Sequence, residues 1–304
     1  MKKKLHIIVW ALGCLMGLSG LAGCQQDDLS PLAEEGKKVN VSLSLGTLSF
    51  EGTDTRAMAP HTPEVENLIN DIWVLQFNER GILLDTKTKY FPREEEAGMY
   101  VEDFEVELIT ASNSTVCIVA NTNNPNLSWP NNLPQFQQLL IDIQASNDLS
   151  ERDRIPMCGY WMGNVNERTR LSALLSRMIT RINLVINNET DAELSGLTVS
   201  LKNVPTKAYV YPRTNQGALP DDAYTTTETF SDTFYEGIPA GESQQFYYYI
   251  APNICTDSDK ATEATITSGG KIWSVTLGND SPETSNRNYS LYANNYYTFT
   301  LNLK

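Results

Sequence analysis

The chain has 304 residues, 41% of them apolar, and a formal charge of −14 from 23 basic and 37 acidic side chains. Acidity of this degree repels phosphate backbones and anionic lipid, so nucleic acid is excluded as a partner. Only two histidines, His6 and His61, are present, which removes the basis for a Ser-His-Asp triad, a Cys-His pair or a His-rich metal site.

The chain opens on Lys2, Lys3 and Lys4, continues as an apolar run over residues 5–18, and reaches Leu21-Ala22-Gly23-Cys24. Small residues open the backbone to a peptidase, and the thiol of Cys24 is the atom that takes lipid. This is a lipobox, and residues 1–23 read as a lipoprotein signal peptide. A transmembrane helix is the competing reading. Residues 5–22 are marginal in length, interrupted by glycines, and lack a basic stop-transfer flank. The exported chain then begins at Cys24, with covalent lipid (palmitate) there and no other cofactor. Loss of three lysines moves the formal charge from −14 to −17. About 280 residues remain, more than one small core usually holds, so two domains are expected.

Residues 25–38 are a polar tether. Val39, Val41, Leu43 and Leu45 then alternate with Asn40, Ser42 and Ser44, the period of a half-buried strand. The phase slips at Gly46-Thr47, where a bulge or kink is expected, and resumes with Leu48 and Phe50. Residues 51–57 are polar and accessible and hold one arginine, Arg56; Pro60, His61 and Pro63 continue the turn-rich segment. Residues 72–77 form the next strand, closed by Asn78-Glu79-Arg80-Gly81 into 82–84. Residues 100–109 and 115–120 are strands, and the Asn/Pro-rich 121–134 is loop. Phe136, Leu139, Leu140 and Ile143 follow helical spacing, so a helix is expected over 136–143. Residues 147–154 are charged and exposed. A turn of helix at 171–175 leads into a long strand over 177–186, with Met178, Thr180, Ile182, Leu184 and Ile186 on one face. Leu197, Val199 and Leu201 mark another strand, residues 213–233 a surface loop, and 246–250 an aromatic strand. Residues 263–267 and 271–277 pair across Ser268-Gly269-Gly270. Tyr297, Phe299, Leu301 and Leu303 alternate to the end. Short strands, turn residues and little helix specify an all-β sandwich.

Cys117, within Val116-Cys117-Ile118-Val119-Ala120, reads as a buried core thiol; a bridge from Cys158 to Cys117 or Cys255 stays open. No G-x-S-x-G, H-E-x-x-H, P-loop or G-x-G-x-x-G is present. Glycosidase chemistry needs only two carboxylates, but Glu94-Glu95-Glu96 reads as a solvated loop. Asp257, Asp259 and Glu263 lack the spacing of a calcium loop. Neither a metal site nor a catalytic residue is expected, and the chain is not read as an enzyme. Trp129, on a loop, reads as folded onto its own core.

Several separated segments together resemble the Bacteroidetes fimbrillins, lipoprotein-derived subunits of pili assembled by strand exchange. They are the lipobox, the strand-then-arginine segment 39–57, the hairpin 73–83, Val116-Cys117-Ile118-Val119-Ala120-Asn121 and Ile155-Pro156-Met157-Cys158-Gly159. Leu175-Ser176-Arg177-Met178-Ile179-Thr180-Arg181-Ile182, Asn203-Val204-Pro205, Tyr248-Tyr249-Ile250-Ala251-Pro252-Asn253 and Asn294-Asn295-Tyr296-Tyr297-Thr298-Phe299 complete the pattern.

The resemblance implies two transthyretin-like β-sandwich domains in tandem with few short helices. On this division 24–56 is a lipidated prosegment, 57–168 the N-terminal domain and 169–304 the C-terminal domain. It implies cleavage between Arg56 and Ala57 by an arginine-specific protease, and a surface-export signal at Asp27 and Asp28. Before processing the chain is held at the outer membrane, surface-exposed, by its lipid; afterwards it joins a fimbrium. The exchanged strand comprises Val39, Val41, Leu43, Leu45, Leu48 and Phe50, and its loss would expose an apolar groove with unpaired backbone groups for another subunit to fill. Shaft subunits of the family extend beyond the Tyr-Tyr-Thr-Phe strand with a donor tail, whereas this chain stops at Lys304. A tip or accessory subunit that accepts a strand is therefore expected, and a host protein or glycan is the expected outward partner. The rival reading is a lipid-anchored surface protein that binds glycan through Trp129 or Trp161.

Overall fold

The computed structural model describes residues 36–49, 66–84, 88–90, 100–122, 129–146, 155–212, 219, 232–233, 237–278 and 288–304. Here the alternating runs become strands. In the first half these are β1 (Lys38–Thr47), β2 (Ile72–Phe77), β3 (Thr88–Tyr90), β4 (Tyr100–Ile109), β5 (Ala111–Ala120), β6 (Leu140–Asp142), β7 (Met157–Val165) and β8 (Arg170–Arg177). There follow β9 (Thr180–Asn188), β10 (Thr198–Lys202), β11 (Lys207–Tyr209), β12 (Asp232–Thr233), β13 (Ser243–Ile250), β14 (Glu263–Ser268), β15 (Lys271–Thr276) and β16 (Tyr296–Leu303). Among the described residues a short helix, α1 (Leu133–Phe136), and a 3-10 turn at Ser258–Lys260 interrupt them. The all-β sandwich expected from the sequence is the fold.

Seven strands join in the order β3-β2-β5-β7-β8-β1-β4. The β7–β8 seam is only two residue pairs long, Met157↔Arg177 and Cys158↔Ser176. Although β2 and β4 stand far apart in this order, Gln76 of β2 donates to Ile109 O of β4 at 2.7 Å and accepts from Ile109 N at 2.8 Å. The sheet therefore curls round one apolar core, which includes Leu43, Val106, Leu75, Ile118 and Leu171. Sheets β13-β9-β16 and β12-β10-β14-β15 enclose a second core around Ile182, Leu184, Val199, Tyr248 and Ile266. Both cores lie within one unit, Ala33–Lys304. Strand β8, beyond the expected boundary at 168/169, pairs in the first sheet and places Leu171, Ala173 and Leu175 in the first core.

Several local expectations are corrected. Residues 171–175 are strand, not helix, because Leu171, Ala173 and Leu175 alternate inward while Leu174 is exposed. The strand expected over 177–186 breaks at Met178 and Ile179, although Ile182, Leu184 and Ile186 do share a buried face. The helix expected over 136–143 ends at Phe136. Asn132 caps it and Pro134 sits in its first turn, but Leu140–Asp142 leaves to pair with Lys207–Tyr209. There Ile141 and Ile143 point inward with strand period. The irregularity expected at Gly46-Thr47 falls instead between Leu43 and Leu45, opposite β4. The Gly269-Gly270 turn is as expected, with φ of 56° and 83° that a side chain would strain.

Candidate functional site

Strand β1 is the segment on which the functional reading turns, and its seat is built from both neighbours. One edge pairs antiparallel with β4 from Lys38↔Ile109 to Gly46↔Tyr100; the other pairs parallel with β8 from Ser42↔Arg170 to Thr47↔Leu175. Val39, Val41, Leu43 and Leu45 are 6%, 2%, 0% and 2% exposed. Period-2 alternation turns these four toward the core and leaves Asn40 outside. In the seven-strand order β4 has β1 as its sole neighbour, so withdrawing β1 leaves a slot with open backbone edges on both walls. The N-terminal end is fastened at Thr110, whose N–H donates to Lys37 O at 2.8 Å and whose carbonyl accepts from Gly36 N at 2.9 Å. Lys37–Glu167 and Lys38–Glu107 are exposed ion pairs at 2.6 and 2.7 Å; the hydrogen bond from Lys37, then its charge, holds the Glu167 carboxyl below its ordinary range.

The other end is fastened by buried polar groups. Leu48 N donates to Leu175 O at 2.8 Å. Arg177 Nη1 donates to Leu48 O and, at 3.0 Å, to Asn294 Oδ1. Asn294 Nδ2 donates to Ser49 O at 2.9 Å. Arg177 also reaches the chain beyond residues 50–65: Nε donates to Glu66 O at 3.2 Å and Nη2 to Asn67 Oδ1. The Glu66 carboxylate pairs with Arg181 at 3.0 Å and accepts from Tyr249 OH at 2.7 Å. Arg181 lies over the Tyr296 ring, 4.5 Å from its centroid. Burial pulls the Arg177 guanidinium down to about 10, with Glu66 opposing. Burial first, and Glu66 second, push the Tyr249 hydroxyl up. Both flanks of residues 50–65 therefore converge on one guanidinium.

Of the residues singled out from the sequence, Val39, Val41, Leu43 and Leu45 lie together on the inner face of β1. Leu48 is half-buried just beyond the strand. Phe50, Cys24, Arg56 and Ala57 lie outside the described residues, as do Asp27, Asp28 and Glu94-Glu95-Glu96. Trp129 is 8% exposed and packs edge-on against Trp73 with centroids 5.5 Å apart, so its ring offers no face to a sugar. Trp161 is half-buried against the first core. Asp257 caps the 3-10 turn through Asp259 N at 2.9 Å, and Glu263 pairs with Lys202 at 3.0 Å. Cys117, Cys158 and Cys255 are all free thiols. Sequence reasoning missed the cluster of Arg177, Arg181, Glu66 and Asn294. The available signal was two arginines set within the otherwise uncharged 171–186.

Residues 39–166 match the family of the major fimbrial subunit protein, FimA. No curated protein matches the chain. Among solved structures, a putative cell adhesion protein from Parabacteroides distasonis is 21% identical, with 88% of each chain covered and a TM-score of 0.60. The tip fimbrial protein Mfa3 from Porphyromonas gingivalis, truncated at its C-terminus, is 14% identical over 87% of this chain and 94% of its own, with a TM-score of 0.55. A fimbrilin, FimA, from the same species is 12% identical over 89% and 90%, with a TM-score of 0.54. These structures share the fold. The family match opens on Val39, the first buried residue of β1, and runs to residue 166, so the first part of this chain is similar to the major fimbrial subunit family.

Proposed function

We propose that this protein is a structural subunit of a cell-surface fimbria that accepts a strand from a neighbouring subunit after its own β1 is cut free. The observation that carries this reading is the position of β1. It is an interior strand, buried along its apolar face, yet it is the N-terminal edge of the described body and is joined to the rest through residues 50–65, which contain Arg56. One peptide-bond cleavage there converts a covalent strand into a replaceable one. The vacated slot between β8 and β4 demands a strand with the same alternation, because unpaired backbone and an open apolar groove are unfavourable in water.

In this reading the precursor is exported, acylated at Cys24 and held on the outer membrane, and an arginine-specific protease cuts between Arg56 and Ala57. The body joins other fimbrial subunits, in a tip or accessory position and with a host protein or glycan as its outward contact. Strand β16 pairs with β9 along all eight of its residues, from Tyr296↔Arg181 to Leu303↔Asn188. No catalytic role is proposed for any residue.

The test uses precursor from cells fed a palmitate analogue. Treatment with an arginine-specific protease should yield a stable body beginning at Ala57, with all acyl label on the fragment that ends at Arg56. A body that resists cutting at Arg56, or is degraded throughout, would remove the reading.

A further inference from the structure

The polar cluster at the end of β1 has a geometry that packing alone does not require. Arg177 and Asn294 are 2% and 5% exposed, and two of their donors point at consecutive main-chain carbonyls of the segment proposed to leave: Leu48 O and Ser49 O. The orientation of Asn294 is set by Arg177. Its amide oxygen accepts from Arg177 N at 3.2 Å and from Nη1 at 3.0 Å, so its NH₂ group must face Ser49. Its own backbone is held at φ 58° and donates to Ile179 O at 2.8 Å. These donors read main chain, not side chain, and so place no demand on the identity of the residues they hold.

We propose that Arg177 and Asn294 form a carbonyl clamp that sets the register and the end point of the strand that replaces β1. This rests on the strand-exchange reading above. The two sides of the cut are held unequally. Glu66 keeps its ion pair with Arg181, its bond from Tyr249 and its carbonyl bond from Arg177 whether or not β1 is present. Leu48 and Ser49 depart with the strand, leaving one donor on each clamp residue aimed into the slot. An incoming strand that carries two further residues past its last ladder pair gains a charge-assisted hydrogen bond from Arg177 and an amide hydrogen bond from Asn294 that a shorter one does not. A one-residue slip would turn its apolar residues out of the groove and miss the clamp together. A cleft of about 710 Å³, lined by Leu48, Tyr160, Leu174, Arg177, Tyr292 and Asn294 among others, opens beside the clamp and gives the incoming chain room to run on.

The experiment measures entry of two labelled, amidated peptides into the full chain after cleavage at Arg56. One peptide carries residues 38–49 of this sequence and the other stops at 47. The longer peptide should bind at least tenfold more tightly to the wild-type body. Asn294→Gly suits the left-handed φ while removing the side chain, and Arg177→Lys keeps the charge while removing the fork; in each the tenfold advantage should shrink to threefold or less. Equal binding of the two peptides to wild type, or an advantage unchanged in both variants, overturns the clamp and leaves strand exchange standing. Failure of either peptide to enter the cut chain, with β1 still bound, overturns both.

Discussion

Leu43 sits at the middle of β1, fully buried, opposite Phe104 on one side and Leu171 on the other. Burying such a side chain contributes about 1.5–3 kcal/mol, and truncating it to alanine in a packed core costs about 2–5 kcal/mol. An aspartate there adds a carboxylate with no partner in an apolar groove, which is worse than a cavity. Leu43→Asp in the uncut chain is therefore expected to behave as though β1 had been deleted: a melting temperature lowered by ten degrees or more, measured by circular dichroism, with self-association in sedimentation. A variant that melts with the wild type would show that this side chain does not hold the strand. Asn40, exposed on the same strand, is the matched control, and Asn40→Asp should change little.

At the scale of the element, β1 contributes through all four inward residues and through two ladders. Four apolar side chains at half the full-burial value give about 3–6 kcal/mol, comparable with the whole net stability of about 5–15 kcal/mol for a domain. A chain beginning at Lys37 should be a stable monomer. One beginning at Ala57 should lose stability by several kcal/mol in urea or form oligomers through the open slot. Equal melting temperatures and equal monomer fractions for the two chains would mean that β1 is not part of the folding unit. Gln76 belongs to this argument as well. Its side chain ties Ile109 of β4 to β2 and gives β4 an attachment that does not pass through β1.

For the whole molecule, the buried thiols make stability depend on pH in a defined direction. Burial pushes Cys117 and Cys158 well above the ordinary value of 9.0, with each other's presence adding to the effect at Cys158; burial, then Asp257, pushes Cys255 up to about 11. In the unfolded chain these thiols lose protons near pH 9, while the folded chain keeps them. The unfolded state then binds fewer protons, so stability is full below that pH and falls as pH rises through 9. Arg177 works in the opposite direction only from about 10 upward. Urea midpoints should therefore drop between pH 8 and 10, and the drop should shrink when Cys117 and Cys158 are both replaced by alanine. In native protein at pH 8 both thiols should react with a disulfide reagent only at the rate of unfolding. Fast labelling at neutral pH would show that one of them is accessible.

Period-2 alternation was enough to read β1 and β16 from the residues alone, because a strand with one face buried needs that pattern whatever its partners; the apolar, β-branched run of β5 marked a central strand, and it is buried on both faces. The Asn78 and Gly269 turns were equally legible, since positive φ restricts which residues can occupy them. The lipobox and Arg56 are read from local chemistry, and the reading of the chain as a fimbrillin rested on the order of weak motifs. What local pattern could not decide was pairing. Strand β8 carries three leucines whose spacing fits a helix, and only contact with β1 and β7 makes it a strand. Residues 136–143 have helical periodicity, but the backbone of Lys207–Tyr209, more than sixty residues away, takes part of them into a sheet. Above all, the sequence marked β1 as a strand at the front of the chain without placing it between β8 and β4. Nor could it bring Glu66, Arg177, Arg181 and Asn294 together, since those residues are separated by up to 228 positions and meet only where the ends of β8, β9 and β16 converge on the departure point of β1. Local sequence determines which segments are extended and which face is apolar; long-range backbone pairing, which no single segment encodes, decides that the first strand is internal and that its end is held by a buried arginine.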